Sequence, residues 1–426
     1  MSRAMKDSGI PWIGEIPSHW RLFQTSTLFH EHKEKNNGLK EKNLLSLSYG
    51  QIKRKDINSS EGLLPQSFET YNIIEKGDIV FRLTDLQNDK RSLRTGLCKE
   101  RGIITSAYVS VRANTEIDSR YFHYLYHSYD ICKVFYGLGD GVRQGMNYDD
   151  LKKLLVFLPP FAEQQAIADF LDKKCSEIDE MVSLQEKIVE ELKEYKQSVI
   201  TEAVCRGLNP DVPMRDSGIE WIWQIPESWE VKRMKNICVP NPNSLTEKED
   251  ADFEFDYVDI GSVSFEKGIF KTEHYLFKDA PSRARRRAQF GDMVMSTVRT
   301  YLRAIDTIDT EEKAGYIYST GFAVLTPYAD CDYRFLSFVS KSQPFLEQVA
   351  ILSRGINYPS INTNDLLTIF VAVPSIEEQQ AIANYLDEKC AEIDALISVK
   401  QSKIDALKEY KKSIIYEYIT GKKEVI

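Results

Sequence analysis

The sequence predicts an α+β fold: two mixed α/β domains separated by two long antiparallel coiled-coil helices, with an internal pseudo-twofold duplication. Three observations carry this. The 426 residues are too many for one ordinary core. Residues 158 to 204 align without a gap to 373 to 419, identical at 23 of 47 positions, and the shorter segments 5 to 20 and 214 to 229 agree at 10 of 16. Within the longer repeat, apolar residues recur every three or four positions. These features set four stretches: a first domain with its opening motif (1–157), a central helix (158–207), a second domain with the repeated motif (208–372) and a C-terminal helix (373–426).

The variable blocks, 21–157 and 230–372, share landmarks rather than sequence. Each takes a Gly-Asp step into an apolar run, at Gly77-Asp78 and Gly291-Asp292. An alternating strand-like run follows (Ile104 to Val111; Phe322 to Leu325), then an aromatic helical stretch (Tyr121 to Tyr136; Tyr333 to Val349) and a loop reaching Asp150-Leu151 or Asp365-Leu366. The pattern predicts a strand-rich half followed by a helical half.

The repeated segments read as helices because Pro160 and Pro374 stand near their starts and Glu163, Glu377 and Glu378 occupy the first turn. No Gly or Pro then intervenes before Gly207 and Gly421. A heptad-like seam is expected along Ile167, Leu171, Ile178, Met181, Ile188, Leu192, Tyr195 and Val199, mirrored by Ile382, Leu386, Ile393, Leu396, Leu407, Tyr410 and Ile414. Polar breaks fall at Gln185, Lys400 and Lys403. Some 40 helical residues span roughly 60 Å, more than one domain needs, so a rod between the blocks is expected. A coiled-coil spacer accounts for the periodicity equally well. Two similar blocks, each bracketed by the same motif and the same helix, favour a machine that uses both alike.

With 42% apolar residues, no apolar run of eighteen and no apolar core near the N-terminus, neither membrane insertion nor export is expected, and the location is expected to be cytoplasmic. Seven cysteines, widely spaced and without a C-x-x-C pair, argue against a disulfide framework or a zinc site. The net charge of −9 counts against nucleic-acid binding. Its distribution counts for it: basic residues gather at Arg82, Lys90, Arg91, Arg94, Lys99 and Arg101, and again from Arg283 to Arg303.

The chemistry of an enzyme is missing. Gly137 to Gly141 resembles a cofactor loop and Leu158-Pro159-Pro160-Phe161 an adenine-methyltransferase segment, but Leu158 replaces the polar residue such a segment needs. Only about twenty residues separate the two, too few for a βαβ unit. No nucleotide-binding loop occurs. His123 and His127, at i and i+4, lack an intervening catalytic Glu, and satisfied or surface histidines are the expectation. Neither a metal nor a cofactor is expected.

Together the twin helices, beginning Glu163-Gln164-Gln165-Ala166-Ile167-Ala168 and Glu378-Gln379-Gln380-Ala381-Ile382-Ala383 and running on to Leu-Lys-Glu-Tyr-Lys, make the whole chain resemble the specificity-subunit family of type I restriction-modification systems. The openers at Trp12 to Trp20 and Trp221 to Trp229, and Pro281 to Arg287 followed by Ser296-Thr297-Val298-Arg299, also resemble that family; the first block departs from it at Phe81-Arg82-Leu83-Thr84. The resemblance implies a non-catalytic subunit of an adenine-N6 methyltransferase and ATP-dependent endonuclease complex. Its partners would be double-stranded DNA with a bipartite site, two methylation subunits and two restriction-translocation subunits. A coiled-coil scaffold, or a stand-alone DNA-binding protein outside restriction-modification, is the alternative. The candidate DNA contacts are Arg82, Thr84, Gln87, Asn88, Lys90, Arg91, Arg94, Arg143 and Gln144 in the first block. In the second they are Arg283, Arg285, Arg286, Arg287, Ser296, Thr297, Arg299, Tyr301, Arg303 and Tyr358. Solvated surface is the plain alternative for the arginine runs.

Overall fold

The computed structural model describes residues 3–57, 65, 67–86, 93–137 and 145–425. The chain forms two compact units, one of residues 1–185 with 402–426, the other of residues 186–401. The fold is α+β, and each unit takes part of both long helices, Phe161–Arg206 and Ile376–Ile419.

In the first unit a four-stranded antiparallel sheet runs in the order Thr95–Leu97, Ile79–Phe81, Val109–Ala113, Phe29–Glu31. Strand Arg21–Gln24 pairs with Leu155–Leu158, which leads into the first long helix. Helix Ser119–Ile131 starts at Asp118, whose carboxylate accepts from the Arg120 amide, and it buries Phe122, Leu125 and Tyr126. Its aromatic core joins Trp20, Phe29, Phe81 and Phe157 to Leu171 of the long helix.

The second unit repeats this plan. Its four-stranded sheet runs Ile305–Thr307, Met293–Ser296, Phe322–Pro327, Cys238–Pro240, and Glu230–Arg233 pairs with Phe370–Val373. A five-stranded sheet adds Asn243–Ser244, Ala284–Arg287, Ile317–Ser319, Glu254–Val258 and Glu273–Leu276. The aromatic stretch divides into Tyr333–Lys341 and Gln343–Leu352 rather than forming one helix, because Ser342 is extended and Pro344 begins a new first turn. In the first unit the expected strand over 104–111 is likewise two, Gly102–Ile104 and Val109–Ala113.

Within each unit the long-helix segments are antiparallel. Phe170 meets Tyr418 and Asp179 pairs with Lys411 in the first, while Lys196 pairs with Asp394 in the second. The buried seam takes the expected Ile167, Leu171 and Ile178, with Ile382, Leu386, Ile393 and Ile414 in the repeat, and slips by one residue beyond position 178. Ile178, Val182, Gln185 and Val189 are buried, whereas Met181, Leu184 and Tyr195 are exposed, as are Leu396, Val399 and Tyr410 at the repeated positions. One residue is about 100° of rotation, so the apolar residues at 181 and 195 belong to an outer stripe. Of the polar breaks, Gln185 lies in the seam and Lys403 is exposed.

The repeated motifs fasten each block to its helix. The Trp20 indole donates to Glu163 (2.9 Å) and the Trp229 indole to Glu378 (3.0 Å). Gln164 accepts from the Asp118 amide (3.0 Å), as Gln379 does from Asp332 (2.9 Å). Arg120 reaches Asp169 and Asp172; Arg334 reaches Asn384 and Asp387. The methyltransferase-like Leu158-Pro159 is therefore a strand-to-helix joint, its Pro159 carbonyl taken by Gln164.

Candidate nucleic-acid interface

Strand Ala284–Arg287 carries the arginine run across a bulge between Ala284 and Arg286. Arg285 lies over Phe277 (5.0 Å) and Arg287 over Phe253 (5.7 Å), with Glu249 3.6 Å from Arg287. An aromatic face beneath a guanidinium restricts its motion while leaving its donors to turn outward. Arg286 points elsewhere: it donates to the Ser244 hydroxyl (3.2 Å), its Nε is buried without a partner, and burial pushes its pKa below the usual arginine value. Arg283 is exposed.

The loop after strand Met293–Ser296 is built from the inside. Ser296 is buried and donates to the Val298 carbonyl (2.5 Å), and the Thr297 hydroxyl donates to Gly321 (2.9 Å). Thr300 meets the Ser353 hydroxyl at 2.8 Å. On this footing Arg299 and Arg303 both adopt left-handed backbone, φ 49° at each, which costs a residue with a side chain of the order of 1 kcal/mol or more. Arg299 stands over Tyr358 (5.1 Å) and Arg303 over Phe265 (5.7 Å), and Tyr301 is 59% exposed between them. Tyr358 belongs to the segment closed by reciprocal backbone bonds between Arg354 and Ser360 (2.8 and 2.9 Å).

The structure thus gathers Arg299, Tyr301, Arg303 and Tyr358 on one loop pair, with Arg285, Arg286 and Arg287 on the neighbouring sheet. Ser296 is corrected from a contact to a scaffold residue, because its hydroxyl is spent inside the turn, and the Thr297 hydroxyl is likewise engaged by Gly321.

In the first unit the corresponding loop has the same frame. Asp85 is left-handed (φ 57°), as Arg299 is, and Leu83 accepts the Met146 amide (2.9 Å), as Thr297 accepts the Ile361 amide (2.9 Å). Thr84 is exposed and Arg82 half-buried. Arg94 is corrected as a contact: it is wholly buried, and its guanidinium donates to the Thr84 and Asp85 carbonyls (2.8 and 3.3 Å), so it shapes the loop from beneath. Gln87, Asn88, Lys90, Arg91, Arg143 and Gln144, and Leu138 to Gly141 of the glycine run, lie outside the described residues.

His123 and His127 are half-buried, and His123 hydrogen-bonds the Thr95 backbone. They line an open cleft of about 1680 Å³ in the first unit, with Nε2 of one and Nδ1 of the other buried without partners. Burial pushes their pKa values down to about 4 and about 3. Among the described residues no group of three His, Cys, Asp or Glu side chains is placed to hold a metal, and no helix is long and apolar enough to cross a membrane.

Two duplicated α+β units, each with a loop pinned by the same backbone bond, are fastened to antiparallel helices. Residues 25–194 and 226–409 match the family described as type I restriction modification DNA specificity domain, and the chain belongs to that family. It is 24% identical over 331 residues to the type I restriction enzyme MjaVIII specificity subunit of Methanocaldococcus jannaschii, covering 76% of this chain and 75% of that one. Among solved structures it is similar to a chain from the type I R-M system described for its complex assembly and conformational transition. That match has a TM-score of 0.70 at 16% identity, over 95% of this chain and 98% of the other. The HsdS subunit from Thermoanaerobacter tengcongensis matches over the same shares with a TM-score of 0.50 at 15% identity. At these identities the structures support the fold.

Sequence reasoning missed the clamps Arg120 and Arg334 and the aromatic supports Phe253, Phe265 and Phe277. A signal existed for the clamps: Asp-x-Arg occurs at 118–120 and again at 332–334.

Proposed function

We propose that this chain reads a bipartite double-stranded DNA target, one half with each unit, while its helices carry two methylation subunits and, for cleavage, two restriction-translocation subunits. The observation that carries the reading is the common loop frame: a left-handed residue at 85 and at 299, each loop tied by the same backbone bond to the segment before the next short helix. Equivalent loops on unlike sequences suit two readers of different half-sequences. Arg299 and Tyr301 offer donors to base edges, while Arg285, Arg286 and Arg287 offer charge to phosphates. The stripe of Met181, Leu184 and Tyr195, repeated as Leu396, Val399 and Tyr410, supports a partner that binds twice, since identical positions stay exposed in both copies. Methyl transfer and ATP-driven cleavage then belong to the partners, and the chain contributes recognition only.

Base-resolution adenine-methylation mapping in cells given this chain and its methylation partner tests the reading. Two specified half-sequences with an unspecified gap are expected; methylation at one continuous sequence would refute two-headed recognition. The purified chain alone is expected to transfer no label from S-adenosylmethionine to DNA.

A further inference from the structure

We propose that Ile356 is an apolar base reader that packs against the 5-methyl group of a thymine in the major groove, in the half-site taken by the second unit. The assignment rests on the DNA-reading function proposed above. Ile356 is 99% exposed, the most exposed large apolar side chain among the described residues, so the fold gains nothing from it. It is nevertheless held on a defined turn. Arg354 and Ser360 exchange two backbone bonds, Val298 bridges to Ser360, the Thr300 amide reaches Pro359 (3.2 Å) and the Ile361 amide reaches Thr297 (2.9 Å). Gly355, at φ 104°, permits the turn, because a side-chain carbon there would lie 3.1 Å from the Tyr358 carbonyl.

What surrounds this tip indicates its occupant. Arg299 over Tyr358, Arg303 and exposed Arg354 give it a cationic setting, in which Asp365, 3.6 Å from Arg354, is an acidic neighbour. A polyanion suits such a rim, and a narrow two-stranded turn fits the roughly 12 Å major groove. Among the base edges exposed there, the thymine methyl is the one apolar group, and the minor groove offers none. An isoleucine carried on this tied turn, beside arginine and tyrosine donors, therefore complements a thymine next to the bases those donors read.

The test uses the full chain in complex with its methylation subunit and duplexes carrying the mapped site, with each thymine of that half replaced in turn by deoxyuridine. At one position loss of the methyl is expected to weaken wild-type binding roughly fourfold. Ile356→Ala should weaken binding to the thymine duplex by a similar factor, become indifferent to the replacement there, and leave the melting temperature unchanged. Equal affinity for thymine and deoxyuridine at every position, with sequence preference intact, overturns the assignment and spares the proposed function. So does a thymine-to-deoxyuridine difference that persists in Ile356→Ala. Enhanced permanganate reactivity of thymines next to the bound tip would make Ile356 a wedge between bases and also overturn it. Absence of any preference for the mapped site over a scrambled duplex in the wild type overturns the proposed function itself.

Discussion

Arg286 and Arg299 differ in their surroundings, and the difference predicts different losses. Arg286 is a partly desolvated cation, and its charge is one that a phosphate would compensate. Arg286→Ala should weaken binding to all sequences alike and shallow the salt dependence by about one unit of slope. Arg299, aimed by its left-handed turn and by Tyr358, should on replacement by Ala relax one base position by about 1 to 3 kcal/mol. Equal losses on cognate and random DNA for Arg299→Ala would contradict base reading. A separate prediction concerns His123 and His127, which the folded first unit holds neutral because burial lowers both pKa values. The unfolded chain, with histidines near pH 6.5, binds more protons below that value. Stability is therefore complete above about pH 6.5 and falls as pH drops toward 4, by at most about 1.4 kcal/mol per pH unit for each histidine. Calorimetry at pH 7.5 and 5.5 should show the drop, and His127→Leu should lessen it; an unaltered pH dependence in the variant would count against the argument. Sequence located the basic clusters but could not sort them. Arg94 and Arg299 look alike in a string of letters, and only the packing of the loop over Arg94 turns one inward.

At the level of elements, the two long helices were legible because nothing in their sequence interrupts them, and the duplication made the pairing of like with like unavoidable. The face was harder. With apolar residues at both 178, 182, 189 and 181, 184, 195, two stripes compete, and which one the core takes depends on what packs against the helix. The inner stripe carries the stability. Leu171→Ala should cost about 2 to 5 kcal/mol, whereas Asp179→Ala, which removes the exposed pair with Lys411, should cost less than about 1 kcal/mol. Chemical denaturation of both variants decides; a larger loss for Asp179→Ala would mean that the ion pair, not the apolar seam, holds these segments. Gly421 gives a third case. It follows the second long helix with φ 70°, and a side-chain carbon would come within 2.5 Å of Pro17 and 2.8 Å of Trp20. Gly421→Ala should lower the first unit's stability by at least about 1 kcal/mol from backbone strain alone, with the collision adding to it.

For the molecule as a whole, the duplication predicts independent readers. Exchanging residues 21–157 for the block of a relative should alter one half of the methylated sequence and leave the other as it was; a change in both halves would show that the readers are coupled. The opener and the helix were recognisable as repeats, but their purpose emerged only when Trp20 met Glu163 and Asp118 met Gln164, contacts across more than 40 residues of chain. A longer contact of the same kind governs how the protein is made. The Tyr121 hydroxyl donates to the carbonyl of Ile419, and Ile415 and Ile419 complete the core around Trp20 and Leu171. On a ribosome, the second unit, continuous from 186 to 401, has all its residues before the first unit has its last twenty-five. The half of the protein synthesised first is thus the half finished last. Its nascent core must wait open, and a message cut short near codon 400 would release a chain whose earlier unit cannot close.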